Sequence, residues 1–212
     1  MNRGLQTIFI SGVCGAGKST IAWELGRVLP PAAFSVYEFD YPGVPSDTPD
    51  TWRAERTESW LHTATVNAGS NISTIVCGLI HPDESIAAPS ASVAPPIRFA
   101  FLEASDDQIA SRLQERYTTP LFADLLWRQA RITPEQFIPT MFSYQRDLRT
   151  RFSNPRYSTY FVDTTQASVA ETGILLARWI CEQPNPRLER TGRQTVRHAR
   201  AARAAGRSTA GR

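Results

Sequence analysis

Lysine is nearly missing from this sequence: Lys18 is the single example among 212 residues, against 22 arginines. Cysteine is scarce too. Cys14, Cys77 and Cys181 form no metal-ligand spacing, and an odd, sparse set suits free thiols in a reducing compartment, so a cytoplasmic protein is expected. No run of eighteen apolar residues occurs, which excludes a membrane-spanning helix. The opening MNRGLQTIFIS lacks the cleavage pattern of a signal peptide. Charge of one sign is also unevenly placed. The formal net charge is +3, but the stretch from Arg187 to Arg212 alone carries +7, which leaves the rest at −4. The body is mildly acidic, and the basicity sits in an Arg- and Ala-rich tail with little to bury, expected to be disordered.

What is present is an alternation. Short apolar runs at 6–11, 33–39, 73–80, 96–104 and 157–163 have strand length. Between them lie helical patterns: from Ser19 to a stop at Pro30-Pro31, from Thr51 to Ala68, from a Ser105 cap to Tyr117, a short one within 118–133, one begun by Pro134 and reaching about Arg151, and Ala167 to Cys181. In the last, Ile174, Leu175 and Trp179 are expected to face inward. Five strands alternating with helices predict a parallel sheet covered on both faces, with ligands at the carboxyl ends of its strands. The expected organisation is one domain over 1–183 and a tail over 184–212.

The first strand runs straight into GVCGAGKS, residues 12–19, which is G-x-x-x-x-G-K-[ST] with a strand before and a helix after. This pattern accounts for the lone lysine. Gly15 and Gly17 let the backbone turn its N–H groups inward onto phosphate oxygens. The helix opening at Lys18 adds its free N–H groups and dipole. Lys18 supplies a compact charge on a thin stem, which a planar guanidinium cannot replace in the same space. The Ser19 hydroxyl is the expected Mg²⁺ ligand. Gly12, Val13, Cys14, Gly15, Ala16, Gly17, Lys18, Ser19 and Thr20 are therefore the expected nucleotide-phosphate site. Cys14 reads as a small residue whose backbone matters. The N-K-x-D motif with which Ras-type GTPases read guanine needs a second lysine and is excluded; a transporter-type Walker B strand is missing as well.

On these residues the chain resembles the nucleoside monophosphate kinase-like superfamily of small P-loop kinases, over roughly residues 6–182. The resemblance implies a P-loop NTPase three-layer α/β/α sandwich with a five-stranded parallel sheet and a helical lid at about 118–133. FLEASDDQIASRLQERY (101–117) is similar to the segment leading into the adenylate kinase lid; by that likeness Arg112 stacks on the adenine and Arg116 contacts phosphates. VDTTQASVAE (162–171) resembles the loop that edges the base, with Thr164 where glycine is usual. VYEFDYPGVP (36–45) places Asp40 just after the second strand, where members that phosphorylate hydroxyls carry their general base. Glu38, two residues earlier, competes for that role.

Other positions are weaker. Arg128 and Arg131 fall in the lid segment and are candidates for neutralising the transferred phosphoryl group; their spacing also suits a solvated helix face. Arg53, Arg56 and His62 sit on the substrate-side helix, where a surface role competes with anion binding. Gly78 reads as a close-approach point or a strand-end turn, and His81, Asp83 and Glu84 as distant metal candidates. Trp23, Trp52, Trp60 and Trp127 read as packing residues. The leading expectation is an ATP- and Mg²⁺-dependent kinase acting on a hydroxyl of a small molecule such as a metabolite, nucleoside or antibiotic. The alternatives are a polynucleotide-kinase-like enzyme or binder using the basic tail, and a nucleotide-binding regulator without transfer activity.

Overall fold

All five apolar runs become strands in the computed structural model, which describes residues 4–41, 43–45, 48–49 and 51–182, with the side chains of 128–130 left out. They are β1 (Thr7–Ser11), β2 (Phe34–Glu38), β3 (Ser73–Gly78), β4 (Ile97–Glu103) and β5 (Thr159–Asp163). They pair in the order β2-β3-β1-β4-β5, every neighbour parallel. β1 lies at the centre. Ile8 and Ile10 point to one face and Phe9 to the other, yet all three are wholly buried. Helices therefore cover both faces, which is why the central strands read as unbroken apolar runs rather than alternating ones. Each such side chain contributes about 1.5–3 kcal/mol by leaving water.

Six described helices lie between the strands, α1 (Lys18–Val28), α2 (Trp52–Gly69), α3 (Pro82–Ala87), α4 (Asp106–Tyr117), α5 (Pro120–Ala130) and α6 (Pro134–Phe152), and α7 (Val169–Cys181) follows β5. α1 packs on α7, and α4 on α6. The caps follow local chemistry. The Ser105 hydroxyl accepts from the Gln108 N–H, and Asp106 and Asp107 occupy the favourable first turn of α4. Pro134 opens α6, and Gln136 folds back onto the Thr133 N–H at 2.9 Å.

Two sequence expectations need correction. In α7 the buried residues are Thr172, Gly173, Leu176 and Ile180, whereas Ile174 and Leu175 are exposed. The helix is turned so that Gly173 meets α1: a Cβ there would stand 2.4 Å from Glu24 Cγ. Close approach of two helices at Gly173, together with burial of Leu176 and Ile180, set the inward face. Second, the sequence reading missed α3 and the 3₁₀ turn Pro89–Ser92, both too short for a periodic signal.

One compact unit extends to Cys181. The basic tail, and with it any use for nucleic acid, lies outside the described residues. No described helix is long and apolar enough to cross a membrane.

Candidate functional site

The glycine-rich loop leaves the carboxyl end of β1 and turns twice through conformations that favour glycine. Gly15 has φ 85° and Gly17 φ 96°, as the phosphate-cradle reading requires. Gly17 is also the residue before α1, so the first N–H groups of that helix open toward the loop. Gly12 is required for a different reason: a Cβ there would lie 2.6 Å from the Leu102 carbonyl oxygen on β4. Lys18 curls back over the loop and donates to the Val13 carbonyl at 2.8 Å, so its ammonium hangs above the amides. Ser19 and Thr20 are exposed at the loop's outer end.

The loop is braced from beneath. Arg112 of α4 donates to the Gly15 carbonyl at 3.1 Å and to the Thr164 carbonyl at 2.7 Å. The Thr164 hydroxyl lies 3.3 Å from the Ala16 carbonyl and 3.1 Å from that of Glu103. Thr164 is buried. Its described role is thus to tie the β5 end to the loop, a role for which the sequence offered no signal beyond a threonine in place of glycine. Arg116 is exposed, with its guanidinium 4.8 Å from the Phe122 ring centroid of α5. Segment 118–133 is largely α5, as expected. Arg131 ends it, exposed and in a left-handed conformation at φ 57°. The Arg128 side chain lies outside the described set.

Facing the loop across the cleft is the carboxyl end of β2. The Ser19 hydroxyl lies 3.3 Å from Glu38 Oε2. Past Glu38 the chain makes one more sheet bond, Phe39 N–H to the Cys77 carbonyl at 2.8 Å, and then turns, so Asp40 sits on the turn rather than on the strand. Asp40 is an exposed residue, yet the protein around its carboxyl desolvates it enough to raise its pKa; the nearby charges of Lys18 and Arg56 pull the other way. Arg56 is not a free surface group: its Nε donates to the Phe39 carbonyl at 3.1 Å, and it lies 4.9 Å from the Trp60 ring centroid. Trp60 Nε1 donates to the same carbonyl at 3.0 Å. Beneath them Cys77 is buried, with its thiol pushed up to about 12 by burial and then by the Glu38 charge, so it is inert as a nucleophile.

Gly78 is the last residue of β3, at the strand end as expected, and its lack of a side chain answers to a packing partner. A Cβ there would stand 2.1 Å from the Phe39 Cβ, so it is glycine because Phe39 packs over β3.

The weak metal candidates have other partners. Glu84 receives two hydrogen bonds from Arg53, at 2.7 and 2.5 Å. His81 lies 3.4 Å from Glu84 through Nδ1 and 2.7 Å from the Tyr144 hydroxyl through Nε2. Burial first, and then the Arg53 charge, lower the His81 pKa. Asp83 accepts from the Tyr157 hydroxyl. Among the described residues no group of three or more His, Cys, Asp or Glu could hold a metal. His62 is exposed. Tyr144, which ties α6 into this network, was invisible in the sequence because it comes from a distant helix with no local motif. The tryptophans divide: Trp60 is buried and Trp52 packs edge-on against Phe39, but Trp23 is 79% exposed and Trp127 50%, contrary to their reading as packing residues.

No protein-family model matches this sequence, and no curated protein sequence does. Solved structures do match. A sugar kinase from Janibacter sp. HTCC2649 is 18% identical over 83% of this chain and 94% of its own, with a TM-score of 0.56. The tunicamycin resistance protein of Deinococcus radiodurans is 16% identical over 83% and 95%, at 0.55. Shikimate kinase from Acinetobacter baumannii, solved with shikimate, is 15% identical over 83% and 93%, at 0.51. At such identities the likeness is one of fold, and with the loop geometry above it leads to one statement: this chain shares the three-layer α/β/α fold of these solved structures, with a glycine-rich P-loop after its central strand.

Proposed function

We propose that this protein is an ATP-dependent kinase that phosphorylates a hydroxyl of a small molecule. The observation that carries the reading is the convergence of a phosphate cradle and two carboxylates. Ser19, next to Lys18, is within 3.3 Å of Glu38, and Asp40 lies within the electrostatic reach of Lys18. The cradle amides and Lys18 hold the β- and γ-phosphates. Ser19 and Glu38 offer hard oxygen donors of the kind Mg²⁺ prefers; when bound, the ion neutralises charge on the β- and γ-oxygens. That leaves Asp40 as the general base. Its raised pKa keeps it basic enough to take the acceptor's proton as the hydroxyl oxygen bonds to the γ-phosphorus. The bond from that phosphorus to the bridging oxygen breaks, and ADP leaves. In this reading Arg112 and Thr164 hold the loop, with the Arg112 plane available to stack on the adenine. Arg116, Arg128 and Arg131 supply positive charge from the α4–α5 side.

The test is a screen of hydroxyl-bearing metabolites, nucleosides and antibiotics for stimulated ADP release by the full chain, with Lys18→Ala as control. Release that depends on both acceptor and Lys18 is expected. ATP binding with no acceptor stimulating release would favour the regulatory reading. For the tail, a chain ending at Cys181 that keeps its affinity for RNA or DNA and its salt dependence would remove any polyanion role for residues beyond it.

A further inference from the structure

A groove of about 1220 Å³ opens along the flank of α1 and over the edge strand β2. It begins at the proposed transfer centre, since Thr20, Glu38 and Asp40 all line it. Trp23, three residues on and so one turn further along α1, lines it while 79% exposed, and Tyr41, beside Asp40, lines it while 69% exposed. Val36 shares a strand face with Glu38 and adds apolar surface, as does Val169 of α7. A single exposed aromatic needs no explanation. Two in one concavity, with the Glu38 and Asp40 carboxylates beside them, have the make-up of a ligand site.

The charges in the groove decide what it takes. Among the described residues its lining cation is Arg27, which is held by Glu24 through bonds of 3.0 and 2.7 Å. That pair cancels, leaving Glu38 and Asp40. The cations near Asp40, Lys18 and Arg56, do not line the groove: Lys18 donates to the Val13 carbonyl and Arg56 spends its Nε on the Phe39 carbonyl. A negatively charged acceptor would meet two carboxylates here. A neutral one loses nothing, and an ammonium gains both the carboxylates and the faces of Trp23 and Tyr41.

We propose that the groove seats the acceptor, and that the acceptor is an alcohol on an aromatic or apolar body, neutral or cationic, with its hydroxyl at Asp40 and its body on Trp23 and Tyr41. This rests on the kinase reading for its chemistry, but its test reads binding alone. Calorimetry on the full chain compares three alcohols that share a benzylic hydroxyl: 2-amino-1-phenylethanol, 1-phenyl-1,2-ethanediol and mandelate. The first two bind, and mandelate binds at least about tenfold more weakly. Trp23→Ala and Tyr41→Ala, both at exposed positions, each weaken the amino alcohol by about fivefold or more with unchanged melting curves. Mandelate binding as tightly as the amino alcohol overturns the proposal, as does failure of both other alcohols to bind, or unchanged affinity in both variants. So does a Trp23→Ala change that converts a dimer to a monomer while alcohol affinity stays the same; the groove would then be an interface with a second copy. ADP release stimulated by mandelate alone would keep the kinase reading and remove this one. Alcohol binding by a chain that binds no ATP would do the reverse.

Discussion

The Ser19 hydroxyl and the Glu38 carboxylate lie 3.3 Å apart, joining the first turn of α1, which follows β1, to the end of β2, two positions from β1 in the sheet. A hydroxyl and a carboxylate so close make a pair of oxygen donors beside the phosphate cradle. Glu38→Gln removes the charge and keeps the shape. It is expected to raise the Mg²⁺ concentration needed for half-maximal ADP release by about tenfold or more, while ATP affinity without metal changes little. An unchanged Mg²⁺ requirement would separate Glu38 from the metal.

Lys18 has its stem laid over the loop and its ammonium at the Val13 carbonyl. Lys18→Ala is expected to lower phosphoryl transfer by about 10²–10³-fold. Lys18→Arg is expected to fare nearly as badly, because the wider guanidinium does not fit over the loop. Single-turnover ADP release measures both; an active arginine variant would refute the account of why this chain keeps one lysine.

Asp40→Asn is expected to keep nucleotide binding and lose about 10²–10⁴-fold in transfer. Because desolvation raises the Asp40 pKa above its ordinary 3.8, the acid limb of kcat/KM is displaced upward and vanishes in the variant. The linkage has the opposite sign for stability. A carboxyl with a raised folded pKa favours folding below its unfolded pKa, and that contribution is lost as pH rises through the folded value. Asp40→Asn should therefore melt no lower than wild type at neutral pH, measured by calorimetric Tm.

Gly78→Ala puts a methyl where the Phe39 Cβ already stands, 2.1 Å away. Overpacking of this kind costs about 1–3 kcal/mol, read as a shift in the urea midpoint. Because Phe39 carries the carbonyl that holds Arg56 and Trp60 and precedes Asp40, activity should fall further than stability. A variant as stable and active as wild type would show that this strand end is loose.

His81 is buried and its pKa lies below 6.5, through desolvation and then the Arg53 charge. A depressed histidine pKa gives stability that is present above the unfolded value and lost as pH falls below it. Denaturation midpoints should drop between about pH 7.5 and about pH 5.5, and His81→Gln should flatten that dependence. A slope unchanged by the substitution would place the titrating group elsewhere.

The glycine-rich turn and the alternation of strands with helices were legible in the residues alone. A strand-length apolar run, glycines and one lysine form a local pattern, and local backbone sterics turn it into one shape; the positive φ of Gly15 and Gly17 follows from that. The same holds for the Ser105 cap and for Pro134 at the head of α6. Other features depended on partners far away in the chain. Only packing shows that Gly173 rather than Ile174 faces inward, that Gly78 yields to Phe39, that Arg53 belongs to Glu84, or that Thr164 braces the loop. The division has a physical cause. Hydrogen-bonded turns, caps and periodic apolar faces are settled among residues a few positions apart, whereas close approach, charge pairing and the shape of the groove beside Trp23 come from surfaces that meet only after the sheet has assembled.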